Sequence, residues 1–290
     1  MACEEACIAE VLPLGLCSGE SPRFAELHLL VSNPAWQACL PGNFVMLRPI
    51  ERNLQPVPLA WGHDLLWGRA FSICRTARER DGKIRVVLFM QVVGRGTPAL
   101  LGLQPGDKVL MWGPLGNAFA VEPDTPTLLL AGGLGVAPFV GYTQAHLNLA
   151  NVHLEFGHRM PLACYPLETL PQDLSFNTHL ESNNQDLQSF INLLEKQIAE
   201  YAARQTPEGR GGLVLACGPK PFLKTVYELA LRFKARAQLS LETQMACGSG
   251  ACLGCTVKAA KDFGPVPMPE WPVQVCLQGP VFWANEIVLD

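Results

Sequence analysis

Four cysteines near the C-terminus restrict this chain more than any other feature. Cys247, Cys252 and Cys255 follow the spacing C-x4-C-x2-C, and Cys276 comes after twenty intervening residues. Four thiolates at this spacing can close the coordination of the two irons of a [2Fe-2S] cluster. Gly248, Gly250 and Gly254 lie among them, and a loop wrapped round a cluster needs stretches of backbone without Cβ. A structural zinc site also takes four thiolates, but zinc knuckles usually come as two C-x2-C pairs. Here the first gap is four and the last cysteine stands alone. A disulfide framework needs an oxidising compartment, and nothing in the sequence marks one. The pattern points to a [2Fe-2S] cluster and one-electron chemistry, with zinc as the alternative.

The rest of the chain must then supply electrons or take them. Its 290 residues are 49% hydrophobic, enough for two cores at ~150 residues per domain. A formal net charge of −4 leaves no basic footprint for nucleic acid. No apolar run reaches the ~18 residues of a membrane span. The opening MACEEACIAE is acidic and lacks the basic and apolar regions of a signal peptide. With eleven cysteines in all, this suggests a reducing, cytoplasmic setting. Cys3, Cys7, Cys17, Cys39, Cys74, Cys164 and Cys217 fall outside the motif and read mostly as small buried hydrophobes.

Residues 8 to about 122 read as β structure, with the apolar runs Phe24–Val31, Phe44–Leu47, Ile84–Gln91 and Lys108–Trp112 separated by turns. Asp81-Gly82 is a hairpin signal between two such runs. Near residue 123 the pattern changes. Thr127–Ala131 and Leu213–Ala216 are continuous apolar runs suited to buried parallel strands, with Val152–Phe156 as another. Helices are predicted from the 132–138 loop to about Leu149, over 186–204, and from Pro221 to about Ala237. Strand alternating with helix is the doubly wound pattern. The expected architecture is therefore multidomain, β plus α/β. An antiparallel β-barrel spans 1–122, a doubly wound parallel-sheet domain 123–238, and a short cluster-binding segment 239–290.

Three further segments carry chemistry. In Gly68-Arg69-Ala70-Phe71-Ser72 a cation, an aromatic and a hydroxyl lie within four residues. Arg can grip a diphosphate bidentately, and a neighbouring ring can lie against a flat heterocycle. An ordinary strand with one surface arginine would read the same. Gly94-Arg95-Gly96-Thr97-Pro98 looks like a glycine loop opening a helix, with Thr97 as N-cap. Such a loop offers N–H groups to phosphate or is simply a turn. Gly132-Gly133-Leu134-Gly135-Val136-Ala137-Pro138 joins strand to helix, as a dinucleotide site requires, although its spacing is not G-x-G-x-x-G. Cys217-Gly218-Pro219 ends another strand of the same sheet, so both loops can face one crevice.

Taken in order, these residues resemble the ferredoxin reductase family over almost the whole chain. Within it, residues 238–255, Val275–Phe282 and Pro114–Phe119 look like the electron-transfer subunits of NAD-dependent dihydroorotate dehydrogenases. Only fifty residues follow Ser240, too few for a separate ferredoxin domain. The resemblance implies that Arg69, Ala70, Phe71 and Ser72 hold FAD, with Phe89, Met90 and Gln91 on a second flavin-contacting strand and Gly96 and Thr97 at the diphosphate. It implies that Gly132, Gly133, Gly135, Cys217, Gly218 and Pro219 receive NADH, and that Cys247, Cys252, Cys255 and Cys276 ligate the [2Fe-2S] cluster. It further implies a separate FMN-containing catalytic subunit, two copies of each chain forming a heterotetramer, with dihydroorotate becoming orotate on that partner.

The sequence departs from the family in two places. The insert between Cys255 and Cys276 is rich in proline (Pro265, Pro267, Pro269, Pro272) and is expected to reshape the surface that meets the partner. The family's Asp-Gly-Ser-x-Gly stretch near the nucleotide ribose is replaced by 180–186, which has no glycine and offers Glu181 as its carboxylate. The competing functions are a flavin subunit of a sulfide dehydrogenase or ferredoxin:NADP oxidoreductase, and an FAD-binding adaptor that takes no pyridine nucleotide.

Overall fold

The computed structural model describes residues 1–15, 22–50, 68–94, 96–204, 206, 209–260 and 272–290. Cys17 and the prolines at 265, 267 and 269 lie outside the described residues.

The first half is a closed six-stranded barrel in the order β1-β2-β5-β4-β3-β6, every pairing antiparallel. Its strands are β1 (Ala2–Leu14), β2 (Phe24–Val31), β3 (Phe44–Pro49), β4 (Arg69–Arg78), β5 (Ile84–Gln91) and β6 (Lys108–Leu115). A short helix, α1 (Gly96–Leu101), follows β5. Alternate residues of each strand point into a barrel core that includes Leu27, Leu29, Val45, Leu47, Val86, Leu88, Met90 and Met111. β2 is buried on both faces; on its outer face Phe24 packs in the core of the second half. That outer face carries Glu26, only 3% exposed. Arg75 grips it with both guanidinium nitrogens at 2.6 and 2.8 Å, and His28 Nε2 lies 3.0 Å away. Burial alone would hold the Glu26 proton on. The His28 and Arg75 hydrogen bonds overcome it and bring the carboxyl down to about 2.

The second half is a six-stranded sheet ordered β14-β11-β10-β7-β8-β9. Its parallel strands are β7 (Thr127–Gly132), β8 (Val152–His158), β9 (Ser175–Leu180), β10 (Leu213–Cys217) and β11 (Arg236–Ser240). Helix α2 (Ala137–Ala145) covers one face, while α3 (Asn184–Ala203) and α4 (Lys220–Phe233) cover the other. α4 buries Leu223, Val226, Leu229 and Ala230; the larger side chains contribute roughly 2 kcal/mol each. The helix stops at Phe233, four residues before the predicted end at Ala237, where Lys234 takes φ +52° and the chain turns into β11. The alternation of Arg236–Ser240 is too short to outweigh the helical pattern before it; parallel pairing with β10 decides it. α2 likewise stops at Ala145, short of the expected Leu149, as His146 turns extended. β9 escaped the sequence reading because it is an edge strand, largely exposed.

The tail adds β12 (Thr256–Ala259), β13 (Pro272–Gln274) and β15 (Ile287–Val288) as a small antiparallel sheet, with α5 (Val275–Gln278) after β13. β14 (Val281–Trp283) leaves that sheet and pairs antiparallel with β11. One apolar core joins Phe44, Met46 and Leu115 of the barrel to α3, α4 and the tail's Cys255, Val273 and Cys276.

Candidate functional site

The four motif cysteines meet on the loop between β11 and β12 and on α5. The thiols of Cys247 and Cys252 interact directly, as do those of Cys255 and Cys276. The Val275 N–H donates to the Cys255 carbonyl at 3.2 Å, which ties the two arms together. Gly248 and Gly250 take φ of +67° and +80°, turning N–H groups inward. The Ser249 N–H donates to Cys247 Sγ at 3.4 Å. Burial alone would raise the Cys247 thiol, but the N–H groups of Ser249 and Cys252 and the Cys252 thiol bring it down to about 6. Cys276 is pushed up to about 12 by burial and by the thiols beside it. This arrangement fits a two-iron cluster, each iron taking one pair of thiolates.

Two fastenings hold this loop on the barrel. Trp112 Nε1 of β6 donates to the Cys247 carbonyl at 2.9 Å. On the other arm, the Asn117 amide donates to the carbonyls of Gln278 and Val281 and accepts from the Val281 N–H. The Asn117 N–H also donates to the Gly279 carbonyl at 2.7 Å. The sequence segments 114–119 and 275–282 therefore go together because they touch.

β4 begins at Arg69, and β3 supports it in the register Leu47–Arg69, Met46–Ala70, Val45–Phe71 and Phe44–Ser72. A Cβ on Gly96 would stand 3.2 Å from Arg69 Nε, so the arginine strand and the 94–97 loop meet as a diphosphate cradle requires. Ala70 is exposed; Arg69 and Ser72 are half-buried, and Phe71 is half-buried against the barrel core. The helix starts at Gly96, one residue before the expected cap. The Thr97 hydroxyl accepts from the Val93 N–H at 2.6 Å and donates to the Val93 carbonyl at 2.7 Å. It closes its own loop. On β5, Met90 lies in the barrel core. Phe89 packs among Phe24 and Tyr165, 5.9 and 6.1 Å between ring centres, at the seam between the two halves. Gln91, at the end of β5, is half-buried.

The glycine loop after β7 and the Cys217-Gly218-Pro219 loop after β10 flank the point where strand order reverses, where such sheets bind nucleotides. The structure changes the roles expected of the glycines. A Cβ on Gly135 would overlap the Cys217 carbonyl oxygen, and one on Gly132 would stand 3.1 Å from Pro219 Cδ and 3.3 Å from Phe222. Those two glycines let the loops pack on each other. Gly133, at φ +52°, faces open space. Burial pushes the Cys217 thiol far up, so it is a packing residue. Glu181 lies at the same end of the sheet, where its carboxylate receives Arg159 Nε at 3.3 Å and covers Gly157. The glycine-free stretch around it is a helix start: Asn183 caps α3 by accepting from the N–H groups of Gln185 and Asp186.

Sequence reasoning missed Trp112 and Phe222. Neither belongs to a motif; each is found only by proximity. Phe222 lies over Gly132 and Gly218 and stacks on Phe190 with 6.2 Å between ring centres.

A barrel carrying an arginine strand, a parallel sheet with glycine loops at its switch point and a four-thiol tail define an oxidoreductase of the ferredoxin reductase fold. Solved structures share that fold. The NADH-dependent reduced ferredoxin-NADP oxidoreductase aligns over 98% of this chain and 90% of its own, with TM-score 0.70 and 19% identity. Phthalate dioxygenase reductase aligns over 95% and 94%, with TM-score 0.54 and 14% identity. Residues 242–288 match the iron-sulfur cluster binding domain of dihydroorotate dehydrogenase B. The dihydroorotate dehydrogenase B (NAD(+)) electron transfer subunit of Caldanaerobacter subterraneus subsp. tengcongensis is 31% identical over 76% of this chain and 80% of its own. The homolog of that subunit in Aquifex aeolicus is 28% identical over 97% and 98%. The chain belongs to the family of dihydroorotate dehydrogenase B electron transfer subunits.

Proposed function

We propose that this chain carries electrons between NADH and a dihydroorotate-oxidising catalytic subunit, through FAD and a [2Fe-2S] cluster. The observation that carries the reading is that the four cysteines fall within the stretch matching an iron-sulfur cluster binding domain, whose first cysteine is bonded to the barrel through Trp112. When bound, a flavin takes two electrons and a proton as hydride from NADH and releases the electrons singly, joining nicotinamide chemistry to a one-electron centre. The chain's own task is to bind and orient. Arg69, with the backbone of Gly96 and Thr97, would grip the flavin diphosphate. Ala70, Phe71, Ser72 and Gln91 would line its ring. Gly133 and the Cys217-Gly218-Pro219 loop would take the dinucleotide, with Glu181 at its ribose. The four cysteines would ligate the irons.

The partner reading follows from the tail. Leu253, between two ligands, is 64% exposed, and Leu277, beside the fourth, is 55% exposed. Two exposed leucines beside Cys252 and Cys276 suit a face covered by another protein. We take that protein to be the FMN-containing catalytic subunit, two copies of each chain making a heterotetramer. No helix among the described residues is long and apolar enough to cross a membrane, and the described cysteines are free thiols, which fits a cytoplasmic site. We take 1–122, 123–238 and 239–290 as the units for flavin, nucleotide and cluster.

Anaerobic purification tests this. It should give a brown-yellow chain with one flavin and about two irons, and mixing with NADH should bleach the flavin before the cluster. A colourless, zinc-bearing protein would sink the reading; a flavin indifferent to NADH would sink its nucleotide half.

A further inference from the structure

We propose that Trp112 is the positioning residue that sets the iron–sulfur loop against the flavin strand. This rests on the function proposed above, and three observations lead to it. First, Trp112 has no motif to account for it, yet it stands between the two sites. On β3, Met46 pairs with Ala70 of β4 on one side and with Trp112 of β6 on the other. The indole reaches across: a Cβ on Gly68, the residue before Arg69, would overlap Trp112 Cη2. Second, the same indole donates Nε1–H to the carbonyl of Cys247 at 2.9 Å. One rigid ring therefore touches the start of the flavin strand and the first cluster ligand. Third, the peptide it fixes is the one from which the ligand loop turns. Gly248 follows at φ +67°, so tight on the barrel that a Cβ would stand 2.5 Å from Met46 Cγ and 3.0 Å from Leu115 Cδ1. The Ser249 N–H then donates to Cys247 Sγ.

Hydrogen bonds to cluster sulfurs favour the more negative, reduced cluster and so raise its potential. Groups one shell out orient such donors. Releasing the Cys247 carbonyl loosens the turn, weakens the Ser249 contact and lets the separation between the redox sites wander. A tryptophan that only fills space would tolerate phenylalanine without any change at the irons.

The test uses the full chain assembled with its catalytic partner, as wild type, Trp112→Phe and Gly68→Ala. The first variant keeps a ring and removes the N–H; the second keeps the N–H and pushes the ring aside. In each, iron and flavin content, the electron paramagnetic resonance spectrum of the reduced cluster, its midpoint potential and the lag between flavin bleaching and cluster reduction are measured. Both variants are expected to show altered g-values, a lower midpoint potential and cluster reduction slowed by about tenfold, a typical second-shell effect. Selective loss of iron with flavin retained supports the proposal equally. Iron-replete variants with unchanged spectrum and potential overturn it. Should one variant fail to fold, the other decides alone. A wild-type chain without iron would overturn the underlying function instead.

Discussion

Gly135 lies with its Cα against the carbonyl oxygen of Cys217, so close that a Cβ there would overlap that oxygen. The loops after β7 and β10 are thus fixed to each other before any nucleotide arrives. Gly133, in the same loop, has no atom within 4 Å of where a Cβ would stand.

Two alanine substitutions should separate packing from binding. Gly135→Ala forces two backbone segments apart and should cost about 3 kcal/mol, the upper end of overpacking costs. Gly133→Ala meets no atom but must hold φ +52°, which costs roughly 1–2 kcal/mol, and its methyl group would point into the ligand space. Urea unfolding should rank Gly135→Ala as the less stable. Stopped-flow NADH titration should show Gly133→Ala with weakened nucleotide binding at nearly normal flavin content. The reverse ranking would contradict the assignment.

Acid should destabilise the fold through two buried carboxylates. Glu26 is held at about 2 against burial by His28 and Arg75. Glu155 of β8, fully buried, is also held at about 2 against burial, with His153 Nε2 at 2.8 Å, His179 Nε2 at 2.6 Å and Asn177 Nδ2 at 3.2 Å. Both folded values lie below the ordinary 4.5. Each carboxylate therefore stabilises the fold fully above that value and loses its contribution as pH falls from there towards 2. The linkage amounts to roughly 3 kcal/mol per group. Glu26→Gln should be about 3 kcal/mol less stable than wild type at pH 7, and the gap should narrow as pH drops through 4 and close only towards 2. A gap independent of pH would show that Glu26 titrates alike in the folded and unfolded chain, and a gap that widens as pH falls would show that the fold keeps the carboxyl protonated.

Cys252→Ser should remove the cluster and leave the flavin. Arg69 and the 94–97 loop belong to the barrel, whereas Cys252 is exposed on the tail loop. Iron per chain should fall to near zero and the flavin absorption persist. A cluster spectrum of normal intensity in this variant would refute the ligand set.

Leu253→Asp and Leu277→Asp change side chains that are largely exposed, so the isolated chain should keep its stability within about 0.5 kcal/mol. Placed at the centre of a protein contact, each should weaken assembly with the catalytic subunit by tenfold or more, as an unpaired charge desolvated in an interface costs at least 1.4 kcal/mol. Analytical ultracentrifugation of the mixed subunits measures this. Unchanged association in both variants would place the partner elsewhere.

What could be read from the chain was local. Phe24–Val31 and Ile84–Gln91 were legible to the residue as strands, because apolar runs bounded by turns leave few alternatives. The boundary between α4 and β11 was not, since Lys234 ends the helix by adopting a left-handed conformation that no lysine announces. The glycine loop was legible as a turn before a helix, but not which glycine serves the ligand. That depends on Cys217, about eighty residues away in sequence.

The sequence by itself determined the metal chemistry, because C-x4-C-x2-C with a later cysteine limits the ligand types and their reach along the chain. It also determined the strand and helix periodicity of both halves. Only the tertiary structure decided how the parts face one another. Trp112 stands beside Cys247, Asn117 grips the arm of Cys276, Gly135 serves packing while Gly133 stays open, and Glu26 and Glu155 find arginine and histidine partners inside the protein. Each of these rests on groups far apart in the chain brought within hydrogen-bond or van der Waals range. Such contacts act over a few ångströms, and no pattern of neighbours along the sequence records them.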